Sequence, residues 1–224
     1  MSQKSKIELK IDWATHEAAK YACENWHYSG CLPTGKLVKV GVWENGKYIG
    51  VVLFGRGASP HLGTKFNLTQ TEVCELVRIA LKKHITPVSR IMAIAIKFLK
   101  SQNTGLKLIV SFADPNQGHH GGVYQANNWV YSGKSASTTE AFINGKWTHM
   151  RGAYYKMTKD TKTREVQGKH RYLMPLDNDM KESIIKLSQP YPKRVTKATS
   201  SDQLESGGAI PTNALQIPDE SSNA

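Results

Sequence analysis

A strand–helix–strand segment in the middle of the chain constrains the fold more than any other feature. Residues 73–81 (VCELVRIAL) form a β-rich run, and Pro87 precedes an amphipathic helix over 88–102. Proline is favoured at a helix start because its φ is already helical and no N–H is lost there. Residues 106–113 (LKLIVSFA) are almost continuously apolar, as in a strand buried on both faces. A helical crossover between two such strands predicts a right-handed unit with parallel or nearly parallel strands.

Two hairpins lie on either side of this unit. Asn45-Gly46 separates LVKVGVW from YIGVVLFG, and Asn144-Gly145 separates TTEAFI from KWTHM. An Asn-Gly pair favours a two-residue turn because both central positions need positive φ. Ahead of the first hairpin, we expect Asp12 to cap a helix that ends near Ser29-Gly30. These elements predict an α/β fold, with a mixed central sheet and flanking helices.

The charge of the chain points to a polyanionic partner. All 30 Lys and Arg residues lie at or before Lys197, whereas 4 of the 18 acidic residues follow it. The formal charge of +12 is therefore +16 over the first 197 residues. Such a charge attracts nucleic acids, because binding to phosphates releases counterions. The alternative is a surplus of charge that only keeps an ordinary enzyme soluble.

The cysteines and the apolar runs indicate the compartment. Cys23, Cys31 and Cys74 form no C-x-x-C pair, which argues against a disulfide framework and a thiolate zinc site. No apolar run approaches the roughly 18–20 residues that span a bilayer. The opening MSQKSKIELKID carries no apolar signal core. We therefore expect a cytoplasmic protein without a membrane partner.

The predicted ligand cleft lies beyond the carboxyl ends of the two central strands, where open α/β sheets bind ligands. After residues 73–81 the chain reads HITPVSRI, where a helix start offers unpaired N–H groups and a positive dipole end to a phosphate. After the second strand, Asp114 stands at the strand exit in SFADP. It is either a functional carboxylate or a turn-forming residue before Pro115.

Arg78 is a further candidate for the cleft. It lies in mid-strand between Val77 and Ile79, where an unpaired guanidinium would be costly. We expect it to reach a carboxylate such as Asp114 or to line the cleft, unless that face of the strand is open to water.

The histidines offer proton-transfer chemistry more than metal binding. His27, followed by Tyr28, suits proton transfer near neutral pH, although a histidine at a helix end also serves as a cap. His119, His120 and His149 could gather with His27 around a metal. No H-x₃-H or carboxylate spacing supports such a site, so no metal is predicted.

The order of these elements resembles the core of the GNAT acyltransferase fold: a hairpin, a strand, a helix start suited to phosphate, a second strand and the short helix VYQANNW (123–129). In that fold the short helix typically reads L-Y-x-x-x-G-F, and its tyrosine often protonates the leaving CoA thiolate. Tyr124 takes the place of the tyrosine, Asn128 that of the glycine and Trp129 that of the aromatic residue. The usual Q/R-x-x-G-x-G phosphate loop is missing, and HITPVSRI occupies its position.

The resemblance implies a GNAT-like mixed sheet and acetyl-CoA or a related acyl-CoA as cofactor. The residues that it places against this cofactor are Ile79, Ala80, Leu81, Thr86, Val88, Ser89 and Arg90.

A narrower resemblance covers about residues 25–194. Seven blocks in one order resemble the Mom family of bacteriophage proteins: WHYSG, GVVLFGRGA, EVCELVRIAL, PVSRI, SFADP, VYQANNW and KHRYLMPL. Proteins of that family convert adenine in DNA to a methylcarbamoyl (carbamoylmethyl) form and so shield phage DNA from host restriction. The resemblance implies the same function here, with catalytic residues His27, Tyr28, Arg78, Ser89, Asp114 and Tyr124.

The roles implied are those of a base-flipping transferase. Asp114 or His27 would take the proton of the adenine amine, and Tyr124 would protonate a leaving group. Arg78 and Ser89 would orient the donor or the base, although Ser89 could instead cap its helix. A plain acetyl donor does not supply a carbamoylmethyl group, so a further nitrogen source or a rearrangement would also be needed. Iron could take part in such a step, but no ligand spacing supports iron. The alternatives are an ordinary acyl-CoA-dependent N-acetyltransferase of a protein or small amine, and a non-catalytic DNA-binding protein on a GNAT-like core.

The chain is predicted to form one transferase domain over residues 1–194, including a basic C-terminal extension over 156–194. In this extension, Lys169, Arg171, Lys193 and Arg194 are expected to contact the phosphates of double-stranded DNA. The alternative is that the extension packs against the core and that Lys82, Lys83 and Arg90 near the cleft contact the phosphates. Residues 195–224 have too little apolar content to offset the entropy of ordering and are predicted to be a disordered tail.

Overall fold

A seven-stranded sheet forms the centre of the protein. The computed structural model describes residues 7–57 and 59–194. The strands of this sheet are β1 (Leu9–Trp13), β2 (Leu37–Glu44), β3 (Lys47–Gly55), β4 (Val73–Leu81), β5 (Leu108–Ala113), β6 (Val130–Lys134) and β10 (His170–Pro175). Their spatial order is β1-β2-β3-β4-β5-β10-β6, and β4 and β5 pair parallel while the other neighbours pair antiparallel. The predicted mixed sheet is confirmed.

A second, three-stranded sheet lies outside the first. It consists of β7 (Thr138–Ile143), β8 (Lys146–His149) and β9 (Thr163–Val166), with β7 in the middle. Both Asn-Gly hairpins are present, and their turns have positive φ at each central position: 49° and 73° at Asn45 and Gly46, and 50° and 76° at Asn144 and Gly145.

Helices flank the central sheet on both faces. They are α1 (His16–Trp26), α2 (Val88–Gln102), α3 (Gly122–Gln125) and α5 (Asn178–Ile185). A further helix, α4 (Met150–Ala153), packs against the three-stranded sheet. Alternate side chains of β3 lie on opposite faces of the sheet. Val52 and Phe54 belong to the core under α2, whereas Val51 and Leu53 pack with α1. This alternation is the period of two that a strand buried on both sides requires. None of the helices within the described residues is both long and apolar enough to cross a membrane.

The strand–helix–strand unit follows its prediction closely. β4 and α2 have the predicted bounds, and β5 begins at Leu108 instead of residue 106. The parallel ladder joins Val73–Leu76 to Leu108–Ser111. The pairing of β4 with β3 shifts register between Leu53 and Phe54, so that one residue of β4, Val77, is bulged. From there on, the end of β4 and the end of β5 form the two sides of a gap.

The N-terminal prediction is wrong in its details. Asp12 lies in β1, which pairs with β2, and does not cap a helix. The cap is Thr15, whose Oγ1 accepts a hydrogen bond from the Ala18 N–H at 3.1 Å. The helix ends at Trp26, ahead of the expected Ser29-Gly30.

Residues 156–194 are not an appendage to the sheet, as their description as an extension implied. β10 lies between β5 and β6 and pairs with both. Met180 and Ile184 of α5 pack with Leu173 of β10 in a third apolar cluster. The predicted tail, residues 195–224, lies outside the described residues.

Candidate active site

A cavity of about 550 Å³ opens at the gap between β4 and β5, at the edge where the sequence predicted the ligand cleft. Its apolar walls include Ile79 and Leu81 of β4 and Phe112 of β5. Chemically active side chains reach it from four parts of the chain. They are His27, Tyr28, Arg78, His84, His119, His120 and Tyr124.

Tyr124 presents a protonated phenol to this cavity. The Ser111 Oγ lies 2.8 Å from both the Tyr124 Oη and the Leu76 carbonyl oxygen. Because the carbonyl can only accept, the single serine proton goes to it, and the phenol can then donate to Ser111. Burial raises the pKa of Tyr124 to about 12. The phenol is therefore an acid that keeps its proton at neutral pH.

The position of Tyr124 follows from the short helix that carries it. Its ring packs 5.0 Å from those of Trp129 and Tyr172, measured between centroids. Asn128 has a φ of 57°, the left-handed conformation that glycine and asparagine tolerate best. This conformation explains why asparagine can stand where the GNAT pattern has glycine.

His27 is a neutral imidazole whose free proton is on Nε2. The Ser29 N–H donates to its Nδ1 at 3.1 Å, so Nδ1 carries the lone pair. Burial, followed by the charges of Arg78 and His119, lowers the pKa of His27 to about 4. In this state His27 can donate a hydrogen bond through Nε2 but is a weak base.

His84 has the opposite tautomer. Its Nδ1 lies 2.6 Å from the Lys82 carbonyl oxygen, which can only accept, so Nδ1 carries the proton. In the neutral imidazole the lone pair is therefore on Nε2, on a side chain that lines the cavity. Sequence reasoning missed this residue, because HITPVSRI was interpreted only as a phosphate-binding segment.

Arg78 lines the cleft and does not reach Asp114. Its two terminal nitrogens lie 3.8 and 3.9 Å from the Cys31 Sγ. It also borders a second cavity of about 570 Å³, formed with the segments 31–37 and 55–57. Of the two expectations for Arg78, the structure shows the cleft-lining one.

Asp114 makes contacts typical of a turn. Its Oδ1 accepts from the Asn116 N–H and from the Asn116 Nδ2, both at 2.9 Å, and its Oδ2 lies 3.2 Å from the Lys169 Nζ. Burial raises the pKa of Asp114, but the hydrogen bonds of Asn116 and the charge of Lys169 outweigh it, and the pKa is lowered. Asp114 is not among the residues that line the cavity.

The residues expected against acyl-CoA separate into two groups. Ile79, Leu81 and Val88 line the cavity. Ala80 is buried in the apolar cluster under α1, Thr86 is buried in the loop before α2, and Arg90 is exposed. Ser89 is partly exposed and makes no side-chain cap for α2.

The loop before α2 already holds an anion of the chain itself. The Glu44 carboxylate accepts hydrogen bonds from the Ile85 N–H at 3.0 Å and from the Thr86 N–H and Oγ1 at 2.8 and 2.6 Å. These hydrogen bonds, that of the Thr86 hydroxyl first, lower the pKa of Glu44. Pro87 has no N–H to offer. The cavity has apolar walls that suit an acyl chain, whereas at this loop Glu44 already occupies two N–H groups, those of Ile85 and Thr86.

The residues expected to contact DNA phosphates differ in exposure and in the partners that they already have. Lys169 pairs with Asp114. Arg171 is held within the sheet, with Nε 2.8 Å from the Ser132 Oγ and Nη2 3.0 Å from the Ser132 carbonyl oxygen. Lys193 and Arg194 are exposed, and Arg194 also lines the cavity.

Within the described part of the chain, no group of three or more His, Cys, Asp and Glu side chains could hold a metal ion.

Comparison with known proteins identifies the family. The model of the Mom protein family matches residues 8–193. The chain belongs to the Mom family. Methylcarbamoylase mom of Escherichia phage Mu is 26% identical over 204 residues, which are 83% of this chain and 84% of that protein. The predictions of this family and of an enzyme of the transferase type are confirmed.

Solved acetyltransferases are similar in structure at low sequence identity. An aminoglycoside acetyltransferase in complex with coenzyme A has a TM-score of 0.47 and 10% identity, covering 80% of this chain and 98% of its own. An acetyltransferase of Bacillus subtilis in complex with CoA has a TM-score of 0.41 and 13% identity, covering 76% and 99%.

Proposed function

We propose that this protein modifies DNA by converting adenine to a methylcarbamoyl adenine, which protects the DNA from restriction. Membership of the Mom family and the similarity to a phage methylcarbamoylase support this substrate. The observation that carries the proposal is the buried phenol of Tyr124, which is hydrogen-bonded to Ser111 beside a cavity lined by two imidazoles, one whose Nδ1 accepts a hydrogen bond (His27) and one whose Nδ1 donates (His84).

Adenine must leave the duplex to react, because its exocyclic amine is engaged in the base pair. A cavity of about 550 Å³ is within the size range of small-ligand sites. Its apolar walls can receive a flipped base together with the reacting end of a donor. Arg78 and the Nε2–H of His27 are the donors of hydrogen bonds that can orient them.

Two residues divide the proton transfers. The amine nitrogen forms the new bond to the donor carbon as the bond from this carbon to the leaving group breaks, and the nitrogen gives its proton to the Nε2 of His84. The leaving group takes the phenol proton of Tyr124. Exchange with solvent then returns the proton from His84 to the Tyr124 phenolate. The geometry favours His84 as the base over His27, whose lone pair is engaged with Ser29, and over Asp114, which is engaged with Asn116 and Lys169.

The donor is a small activated compound that needs no pyrophosphate seat before α2. The sequence predicted acetyl-CoA or another acyl-CoA as the donor. At the loop before α2, the negative charge of the Glu44 carboxylate would repel the pyrophosphate of such a donor. The same contact speaks against an ordinary acyl-CoA-dependent N-acetyltransferase.

Nucleosides from the DNA of bacteria that express the protein test the function. Mass spectrometry should show a heavier adenosine derivative, and restriction enzymes with adenine in their sites should cut this DNA poorly. Unmodified nucleosides from cells that contain the soluble protein would contradict DNA modification and leave the non-catalytic DNA-binding alternative.

Tyr124→Phe tests the acid. Loss of the phenol should lower the initial rate of modification by roughly 10²–10⁴, the usual value for a proton-transfer group. Tyr21→Phe is the matched control, because Tyr21 is 54% exposed and does not line the cavity. Equal rates for the two variants would remove Tyr124 from the mechanism.

His84→Asn tests the base. The asparagine amide can still donate to the Lys82 carbonyl, so the loop keeps its hydrogen bond while Nε2 is lost. We expect a similar fall in rate, with no fall for His61→Asn, since His61 is exposed and does not line the cavity. A wild-type rate for His84→Asn would return the role of base to His27 or Asp114.

A further inference from the structure

The three-stranded sheet is a separate element that the chemistry of the cavity does not use. We call residues 138–166 the arm: β7, β8, α4, the 3₁₀ turn 154–156 and β9. The chain leaves the central sheet after β6, builds the arm and returns as β10, which pairs with β6. The arm is thus an excursion between two neighbouring strands.

One face of the arm is covered and the other is open. In the register of the strands, Phe142 lies opposite Trp147, and Glu140 lies opposite Arg164, so all four side chains share a face. Ala141 belongs to the other face and is fully buried, and α4 packs against β7 and β8. The aromatic face is the one left to solvent.

The open face and the turn that follows α4 expose large rings. Phe142 and Trp147 on the open face are 42% and 38% exposed with centroids 5.2 Å apart, and Tyr154 and Tyr155 in the turn are 69% and 95% exposed. The Arg164 guanidinium lies 4.3 Å from the centroid of the Trp147 ring, and Glu140 holds it by two hydrogen bonds of 3.0 and 2.8 Å. Clusters of exposed apolar surface mark interaction sites, and this one is held in place before any partner arrives.

The charge of the arm indicates the partner. Its sequence contains six Lys and Arg against three Asp and Glu. Lys146, Lys156, Lys159 and Lys162 are exposed. Lysines that contact phosphates and rings that stack on unpaired bases are the two components of nucleic-acid surfaces.

The base of the arm is tied to the cavity wall. The Lys169 Nζ pairs with the Asp114 Oδ2 at 3.2 Å, and the Asn116 Nδ2 donates to the Gln167 carbonyl oxygen at 3.3 Å. The segment 114–117 continues directly into residues 118–124, which line the cavity. The residues that directly follow the arm therefore contact the segment that leads into the cavity wall.

We propose that the arm is the element that docks double-stranded DNA, with its lysines on the phosphates and its exposed rings against the bases around the extruded adenine. Asp114 is then a positioning residue, which fixes the arm relative to the cavity through Lys169. The proposal rests on DNA modification as the proposed function and replaces Lys169 and Arg171 with the arm as the principal contact surface.

Lysine replacement tests the phosphate contacts. Fluorescence anisotropy with a labelled duplex at several salt concentrations gives the dependence of log affinity on log salt. If Lys156, Lys159 and Lys162 contact phosphates, replacing all three by Gln should lower the magnitude of this slope by up to about 2.7, at about 0.9 per contact. The control is the triple variant Lys47→Gln, Lys97→Gln and Lys186→Gln, which removes the same charge from exposed positions outside the arm. Equal slopes for the two triple variants would overturn the proposal.

Replacement of an exposed ring tests the base contacts. Tyr155→Ser should weaken binding to a duplex with a mismatched adenine by roughly 5- to 150-fold, the range for one stacked base, and should affect a fully paired duplex less. Tyr21→Ser, at a tyrosine of α1 that is 54% exposed, should leave both affinities unchanged. Wild-type affinity of Tyr155→Ser for both duplexes would contradict the stacking role.

The two proposals can fail separately. If wild-type protein modifies DNA and the arm variants bind DNA normally, the arm proposal is wrong and the function stands. If wild-type protein modifies no DNA but the arm variants lose DNA affinity, the arm proposal stands and the function falls. Light scattering tests whether a second copy of the protein binds the arm instead of DNA. If the wild type is a dimer and the double variant Phe142→Ser and Trp147→Ser is a monomer with unchanged DNA affinity, the arm is a self-association surface.

Discussion

Glu44 shows how one side chain can change the ligand that a loop accepts. A loop before a helix usually offers its N–H groups to an external anion. Here the hairpin between β2 and β3 brings a carboxylate of the same chain onto the N–H groups of Ile85 and Thr86. The contact spans more than forty residues of sequence, so no local pattern in HITPVSRI could have predicted it.

Glu44→Ala should therefore make the loop available to a pyrophosphate. We expect the variant to bind CoA more tightly than the wild type in calorimetric titrations, at a cost in unfolding free energy of about 1–3 kcal/mol for the N–H groups left without a partner. Glu72→Ala is the control, because it removes a carboxylate that pairs with Lys107 and lies away from this loop. Tight CoA binding by the wild type would show that the donor reaches the cavity by another route.

His27 should make the stability of the protein depend on pH. Its pKa is about 4 in the folded protein against an ordinary value of 6.5. Between these values the unfolded chain binds the proton and the folded protein does not, so the free energy of unfolding falls as the pH is lowered from about 6.5 to 4.

The measurement for His27 compares two proteins. Urea unfolding of the wild type and of His27→Asn, whose side-chain oxygen can replace Nδ1 as the acceptor for Ser29, should show a smaller fall for the variant over this interval. Parallel curves for the two proteins would mean that His27 is not buried as a neutral imidazole.

The residues of the site were predictable to different degrees. Arg78 stood out because a charge in mid-strand needs a reason, and Tyr124 because its motif places a tyrosine at a known point of a fold. His84 and Ser111 carried no such signal. The role of His84 depends on its contact with the Lys82 carbonyl, and that of Ser111 on its contact with the Leu76 carbonyl. Both contacts exist only in the folded chain.

At the level of single elements, the loop before α3 depends on two glycines with different surroundings. Gly118 and Gly121 have φ values of 70° and 82°, so alanine is strained at both. A Cβ at Gly118 would meet open space, whereas at Gly121 it would lie 2.3 Å from the Tyr172 ring. Alanine at Gly118 therefore tests backbone strain alone, whereas alanine at Gly121 tests backbone strain together with a clash against the buried Tyr172 side chain.

We expect Gly118→Ala to lower the free energy of unfolding by about 1–2 kcal/mol, the cost of the left-handed conformation. Gly121→Ala should cost about 1–3 kcal/mol more, because Tyr172 must move, and it should also slow DNA modification by displacing the cavity wall. Chemical denaturation and nucleoside analysis of both variants give the two readouts. Equal losses of stability would mean that the loop relaxes away from Tyr172.

The elements themselves were predictable where local signals and tertiary structure agree. Pro87 and a long apolar stripe predicted the bounds of α2 to the residue, and the β-rich run VCELVRIAL predicted those of β4. β1 escaped prediction because a five-residue edge strand is defined by its pairing with β2, which lies more than twenty residues away. Asp12 was interpreted as a helix cap because the sequence alone does not show that this segment pairs with β2.

At the scale of the whole molecule, the charge distribution predicts the effect of truncation. Removal of the residues after Lys197 takes away four acidic and no basic side chains. We expect modification activity to stay close to that of the full chain, because a segment of this composition offers neither an apolar core nor a grip on phosphate. A large loss of activity would show that the segment binds the rest of the protein or recruits a partner.

The position of β10 has a consequence for how the protein is made. β10 separates β5 from β6, although the whole segment 114–169 is translated between β5 and β10. At roughly 5–20 residues per second, a ribosome needs several seconds to cross that segment. During this interval the edge of β5 is an open template for other strands, a recognised route to aggregation. A nascent chain stalled before residue 170 should therefore be a client of chaperones, and the yield of active protein should respond to translation speed within the arm.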